Sequence, residues 1–228
     1  MSIVLASGSP RRSELLRMIG IEDFKVIVDE SEELIPHGLS PEQTVCEIAI
    51  GKAKNISRSC NKHDTIIAAD TLVYLDGQPL GKPNGPDDAE SMLRALSGRK
   101  HTVYTGVALQ KSAMRPRNQG AEVREQGTRD APIITISSSS SDACTFTLPE
   151  EGNYMVGYEK TEVFFREITD EEISAYVKTG EPLDKAGAYG AQGRGAVFIE
   201  RIEGDFFNVM GLPLCRLSKM LKDFGVEI

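Results

Sequence analysis

Residues 65–80, TIIAADTLVYLDGQPL, constrain the fold more than any other stretch of the chain. The apolar run reads as a buried strand, and Asp76-Gly77 is the dipeptide that closes a tight hairpin, so residues 78–80 should return antiparallel. A strand of this kind needs covering layers and cannot stand at a wet surface. Asp70 lies inside the run, and a carboxylate in a buried strand needs a partner or a task.

Strands and helices interleave around this hairpin. In VLASGSPRRSELLRMIG (4–20), Val4-Leu5-Ala6 is a short apolar run and Ser9 and Pro10 are placed to start a helix. That helix carries Leu15, Leu16 and Ile19 inward before Gly20 stops it. FKVIV (24–28) is a strand running into the acidic DESEEL (29–34). Ser40-Pro41-Glu42-Gln43 is a capping box opening a helix to about residue 59. Further expectations are a helix over 86–98, strands over 101–110 and 161–168, and a helix capped by Thr169 and Glu172 that ends near Gly180. Residues 181–195 form a Gly-rich polar loop, AVFIERIEG and FFNVMG give two strands, and Pro213 starts a last helix reaching about Phe224. There is no strict βαβ rhythm, so the expected fold is one mixed α/β sheet flanked by helices. The expected organisation is a single domain over residues 1–228. Within it, the Ser-, Gly- and Pro-rich residues 112–155 read as a mobile insertion, with IITI (133–136) as a candidate strand.

The formal net charge of −8 supplies no field that would draw the chain to nucleic acid or to a membrane. Any cations that hold an anionic ligand must therefore be local. No long apolar segment resembles a signal peptide or a membrane span, so the expected location is cytoplasmic. Cys46, Cys60, Cys144 and Cys215 are scattered, which predicts free thiols and no zinc site. His37, His63 and His101 lack ligand spacing and read as surface or structural residues.

Against that charge, Arg11 and Arg12 stand in the first turn of a helix, where the macrodipole disfavours cations by roughly 0.3–1 kcal/mol each. A strand, a turn with Gly8 and the hydroxyls of Ser7 and Ser9, then a helix N-terminus is an arrangement that holds anions. The alternative is that both arginines reach solvent or pair with acids such as Glu14. Lys52 lies at the edge of the stripe Val45, Ile48, Ala49, Ala53 and Ile56; by itself this favours a snorkelling lysine over an ammonium aimed into an anionic pocket. Asp70 is the stronger signal. With Glu33 it could hold Mg²⁺ or Mn²⁺ through oxygen, while Arg11, Arg12, Lys52 and Lys82 neutralise phosphates. In LDKAGAYGAQG (183–193), Asp184, Lys185 and Gln192 sit among glycines, and a glutamine amide offers one donor and one acceptor to a base edge. Alone, that loop reads as solvated surface.

Taken together, LASGSPRR, AADT followed by GKP, LSGRKHTVYTGVAL, EPLDKAGAYGAQG and GDFFNVMGLPL resemble, in order and spacing, the Maf-type nucleotide pyrophosphatases. The resemblance covers about residues 3–111 and 157–224. It implies a mixed α/β fold like that of the inosine-triphosphate pyrophosphatases, with a cleft between two lobes. It also implies hydrolysis of a nucleoside triphosphate to the monophosphate and pyrophosphate with a divalent metal, Mg²⁺ or Mn²⁺. Asp70 matches the catalytic carboxylate that activates water, and Ser7, Arg12, Glu33, Lys52 and Lys82 match positions lining the cleft. One of Lys52 and Lys82 would bridge the leaving pyrophosphate. Arg11, Thr71 and Gln192 are the pattern of the branch acting on dTTP and UTP, and Lys185 is expected beside Gln192 as a further substrate contact. Homodimer formation is implied by the same resemblance. The rival from another class is a nucleotide-sensing regulator of cell division with little turnover; the retention of Asp70 and both lysines favours the enzyme.

Overall fold

The computed structural model describes residues 2–29, 35–36, 38–112, 146–148 and 154–227, with residues 146–148 as backbone only. Among the described residues, eight strands form one mixed sheet: β1 (Ile3–Ala6), β2 (Phe24–Val26), β3 (Thr65–Leu75), β4 (Gln78–Leu80), β5 (Lys100–Lys111), β6 (Phe146–Leu148), β7 (Tyr154–Phe165) and β8 (Ile199–Glu203). Their order is β2-β1-β3-β5-β7-β6, with β4 added to β3 and β8 to β7. β1 runs parallel to β2 and β3, and all other described pairs are antiparallel. The β3–β4 turn takes positive φ at both Asp76 and Gly77, 51° and 77°, as a two-residue hairpin of this twist requires.

Six α-helices of the described residues cover the sheet: α1 (Pro10–Met18), α2 (Pro41–Ser57), α3 (Pro86–Leu96), α4 (Asp170–Val177), α5 (Phe206–Met210) and α6 (Leu214–Asp223). Both expected capping boxes are present, Ser40 with Gln43 on α2 and Thr169 with Glu172 on α4. Ser9 occupies the N-cap position of α1, but its side chain makes no capping bond. FKVIV contributes a strand of only three residues, and β7 begins at Tyr154, seven residues earlier than the alternation suggests. The polar loop 181–195 contains short 3-10 turns. FFNVMG is the clearest correction, because residues 206–210 are a helix and not a strand. Asp205 accepts the amide of Phe207 at its start, and Gly211 closes it with φ 110°. The expected insertion and its IITI segment lie largely outside the described residues, as do Glu33, His37 and Cys144. Among the described residues, no helix is long and apolar enough to cross a membrane.

The packing explains where a site can form. One face of β3 sends Ile66 and Ala68 into a core with α2, and Leu72 and Tyr74 into a second group with Val45 and Tyr104. The opposite face sends Ile67 and Ala69 towards α1 and α6, and Val73 and Leu75 towards α3 and α4. Each face is therefore interrupted once, by neighbours: Asp70 on the α2 side and Thr71 on the other. On the Thr71 side the break continues across the sheet. Thr71 Oγ1 lies 2.9 Å from Thr105 Oγ1, which donates to the Asn208 carbonyl at 3.0 Å, while Asn208 Nδ2 donates to Thr161 Oγ1 at 2.9 Å. This buried polar seam separates two apolar cores that share one sheet.

Candidate active site

The site sits where strand pairing on one edge of β3 stops. β1 pairs with residues 65–68 and β4 with residues 73–75, so Ala69–Leu72 have β5 on one side and no described strand on the other. This gap of four residues is about 13 Å long at the usual strand rise. It opens into a cleft of about 710 Å³, lined by both Asp70 and Thr71.

Asp70 is 5% exposed, and its Oδ1 accepts from Lys52 Nζ at 2.7 Å. Lys52 is no snorkelling residue: its side chain is 12% exposed and points at the strand. What allows this is Gly106, which stands opposite Asp70 in the β3–β5 register. A Cβ there would lie 2.8 Å from Cys46 N and closer still to the Val45 carbonyl. Only glycine lets the α2 backbone rest on β5, and that seating brings Lys52 within reach of Asp70. The second oxygen, Asp70 Oδ2, is buried and has no hydrogen-bond partner among the described residues. A buried carboxylate oxygen left without a donor points to a ligand.

The turn between β1 and α1 lies beside it. Arg12 of α1 donates from Nε to the Gly211 carbonyl at 2.8 Å, from Nη1 to Ser7 Oγ at 3.1 Å and from Nη2 to Thr71 Oγ1 at 3.1 Å. The arginine tolerates the positive end of α1 because its charge is placed on the carbonyl that closes α5 and on two hydroxyls. It ties β1, β3 and the α5–α6 junction into one rigid floor. Arg11 faces the opposite wall, with Nη1 3.7 Å from Asp184 Oδ2. Lys82, just after β4, is exposed at the rim.

Across the cleft, residues 181–195 are far from a loose surface loop. Glu181 Oε2 accepts from Arg194 N at 3.0 Å, and Oε1 from Tyr176 Oη at 2.9 Å and Gly195 N at 3.3 Å. Burial works against the Glu181 charge, yet these donors and nearby Lys185 hold its carboxyl below the usual range. Asp184 is likewise lowered, burial being outweighed by Lys185 and Arg11. Lys185 lines the cleft, but its ammonium is already engaged, donating to the Glu181 carbonyl and to Asp184 Oδ1, both at 2.6 Å. Gln192 is exposed in the cleft, and its amide has no hydrogen-bond partner among the described residues.

Thus Ser7, Arg11, Arg12, Lys52, Asp70, Thr71, Lys82, Lys185 and Gln192 all line one cavity, and the remaining expected residue, Glu33, lies outside the described residues. Sequence reasoning missed Tyr189, which backs the cleft and is held by a 2.8 Å hydrogen bond between its hydroxyl and His101 Nε2. It also missed Glu181; the signal was the glycine spacing, since Gly190, Gly193 and Gly195 are the positions that pack on Glu181, Lys185 and Tyr176. No group of three or more His, Cys, Asp or Glu residues placed to hold a metal ion occurs among the described residues. The open Asp70 oxygen suits a hard cation that takes most of its ligands from phosphates and water instead of from an all-protein cage.

The family described as Maf-like protein matches residues 2–138 and 135–224. A dTTP/UTP pyrophosphatase of Bacillus cereus (strain G9842) is 39% identical over 226 residues, covering 99% of this chain and 97% of its own length. The dTTP/UTP pyrophosphatase of Methanosarcina mazei is 42% identical, covering 99% of this chain and 95% of its own. Among solved structures, a HAM1 protein from Coxiella burnetii aligns over 98% of this chain and 99% of that one, with 16% identity and a TM-score of 0.44. Matched in sequence along nearly its whole length, the chain belongs to the Maf-like protein family.

Proposed function

We propose that this chain hydrolyses dTTP and UTP to the monophosphate and pyrophosphate, a house-cleaning reaction on the nucleotide pool. The observation that carries the reading is Asp70, a buried carboxylate with one oxygen held by Lys52 and the other open, at a gap in the sheet between a cationic turn and the Gln192 loop. The names borne by full-length relatives at about 40% identity support the substrate choice.

In this reading Asp70 Oδ2 accepts a proton from water as the water oxygen bonds to the α-phosphorus. The bond from that phosphorus to the bridging oxygen breaks, and its electron pair leaves with pyrophosphate. Lys52 keeps the Asp70 carboxylate in place. Arg11 and Lys82, both lining the cleft, take up charge on the phosphate chain, and Arg12 with Ser7 and Thr71 forms the floor that orients it. Gln192 has the right groups for uracil or thymine: its N–H donates to O4 and its carbonyl accepts from N3–H. Mg²⁺ or Mn²⁺ would be held by Asp70 with Glu33, and when bound supplies positive charge against the phosphate oxygens and makes water more acidic. A cytoplasmic setting and a homodimer belong to the same reading.

The test is pyrophosphate release from each nucleoside triphosphate with Mg²⁺ or Mn²⁺, beside an Asp70→Asn variant. Release from dTTP and UTP should fall by about 10²–10⁴-fold in the variant, the range for loss of a positioned base. Turnover of purine nucleotides alone would refute the role of Gln192. Nucleotide binding without any pyrophosphate would favour the sensing module.

A further inference from the structure

We propose that Glu181, together with Tyr176, is the positioning residue for base selection: its carboxylate fixes the backbone that carries Gln192. The inference rests on the pyrimidine-nucleotide reading above only for the identity of the base.

An exposed amide discriminates between bases only if the main chain beneath it is fixed. Gln192 has no described side-chain partner, so its aim depends on residues 190–195. Those residues are clamped by one carboxylate and one hydroxyl. Glu181 takes the amides of Arg194 and Gly195, and Tyr176 Oη donates to Glu181 while accepting from Gly190 N at 3.1 Å. Both ends of the segment are therefore tied to the same pair. The glycines complete the clamp: a Cβ on Gly193 would stand 2.9 Å from Glu181 Oε2 and nearer to Oε1, and one on Gly190 would stand 2.9 Å from Lys185 Cε. Further back, Gly187 N donates to the Gly81 carbonyl at 3.1 Å, anchoring the loop to the end of the β3–β4 hairpin beside Lys82. The chemistry of the clamp demands an acceptor-only group. A glutamine at 181 is the same size but turns an NH₂ towards a main-chain N–H.

The experiment compares UTP with CTP, which differ at the edge Gln192 would read. It measures the ratio of kcat/KM for the two nucleotides and, separately, the ratio of Kd for their α,β-methylene analogues. Glu181→Gln should lower the preference for UTP by about tenfold, mostly through KM and not kcat, because a polar reader that has lost its aim discriminates poorly. Tyr176→Phe, which removes one hydroxyl and leaves the ring packed on Phe198, should lower it by less and decides the matter if Glu181→Gln does not fold. Adding Glu181→Gln to Gln192→Ala should change the ratio no further. An unchanged UTP/CTP ratio in both single variants, with both nucleotides slowed equally, would overturn the proposal and leave Glu181 as fold support. If the wild type turns over no nucleotide yet binds the UTP analogue more tightly, and Glu181→Gln abolishes that preference, the hydrolase reading falls and the positioning role stands. Equal binding of the two analogues by the wild type would refute it.

Discussion

Gly106→Ala is a one-carbon perturbation whose effect should reach the Lys52–Asp70 pair without touching it. The added Cβ would meet Cys46 N at 2.8 Å and the Val45 carbonyl at a shorter distance, where ordinary contact begins at 3.4 Å. Both obstacles are α2 main chain, so no rotamer relieves them, and α2 must withdraw by about 1 Å. Overpacking of this kind costs typically 1–3 kcal/mol, here towards the upper end. At about 3 kcal/mol, a chain of this size should melt roughly 6–12 °C lower. Lys52 rides on α2, and its 2.7 Å bond to Asp70 would stretch past hydrogen-bonding length. A displacement of about 1 Å at a reacting group can cost about 10²-fold in rate, and that loss should be seen well below the melting temperature. Thermal unfolding and pyrophosphate release on the same sample measure both effects. Gly51→Ala is the control: it lies inside α2 with nothing within 4 Å of its Cβ, and should stabilise by roughly 0.5–1 kcal/mol. A Gly106→Ala protein that melts and turns over like the wild type would show that glycine at this position does not seat the helix.

Three further outcomes are expected. Buried His101 is neutral in the fold because burial pushes its pKa down to about 4, against about 6.5 when unfolded, so only the unfolded chain takes up the proton between those values. Stability should therefore fall as pH drops from 6.5 towards 4, by about 2 kcal/mol at pH 5; urea midpoints of wild type and His101→Gln should differ in this slope, and parallel curves would contradict it. Arg12→Lys leaves some of the Gly211 carbonyl, Ser7 and Thr71 oxygens without a donor, and should cost about 1–3 kcal/mol by denaturant titration. Lys111 is paired with Thr65, five residues before Asp70 along β3, so the chain leaves β5 about 17 Å from the Asp70 carboxylate. Replacing residues 113–145 with a short Gly/Ser linker should consequently leave kcat/KM for UTP within about threefold, whereas loss of turnover in a folded protein would mean that this segment reaches the cleft.

Local chemistry was legible wherever one segment carried its own signal. The capping boxes at Ser40 and Thr169 and the Asp76-Gly77 turn are complete within a few residues, and the structure has them. FFNVMG failed because five residues are too few to display a helical period, and aromatic and β-branched residues outweighed the Asp205 cap and the Gly211 stop. The helix stripe by itself favoured a snorkelling Lys52 and was wrong, since a stripe shows which face is buried but not the carboxylate that faces it. Arg12 has the same history at longer range: the carbonyl that accepts its Nε belongs to a residue 199 positions away. In the 181–195 segment the glycines were visible, but their reason, a carboxylate packed against them, exists only once the chain has closed around Glu181.

The gap on the β3 edge also determines how this site can change. Its two ends are set by where β1 and β4 run out, at Ala68 and Val73, and pairing begins and ends on whole residues. The aperture is thus quantised in steps of about 3.4 Å. Point substitutions can recolour its walls but cannot widen it, whereas lengthening β1 by two residues or shifting the register of the hairpin would narrow it in one step. Redesign for a bulkier nucleotide is therefore a matter of editing chain length at two strand ends before any side chain is chosen.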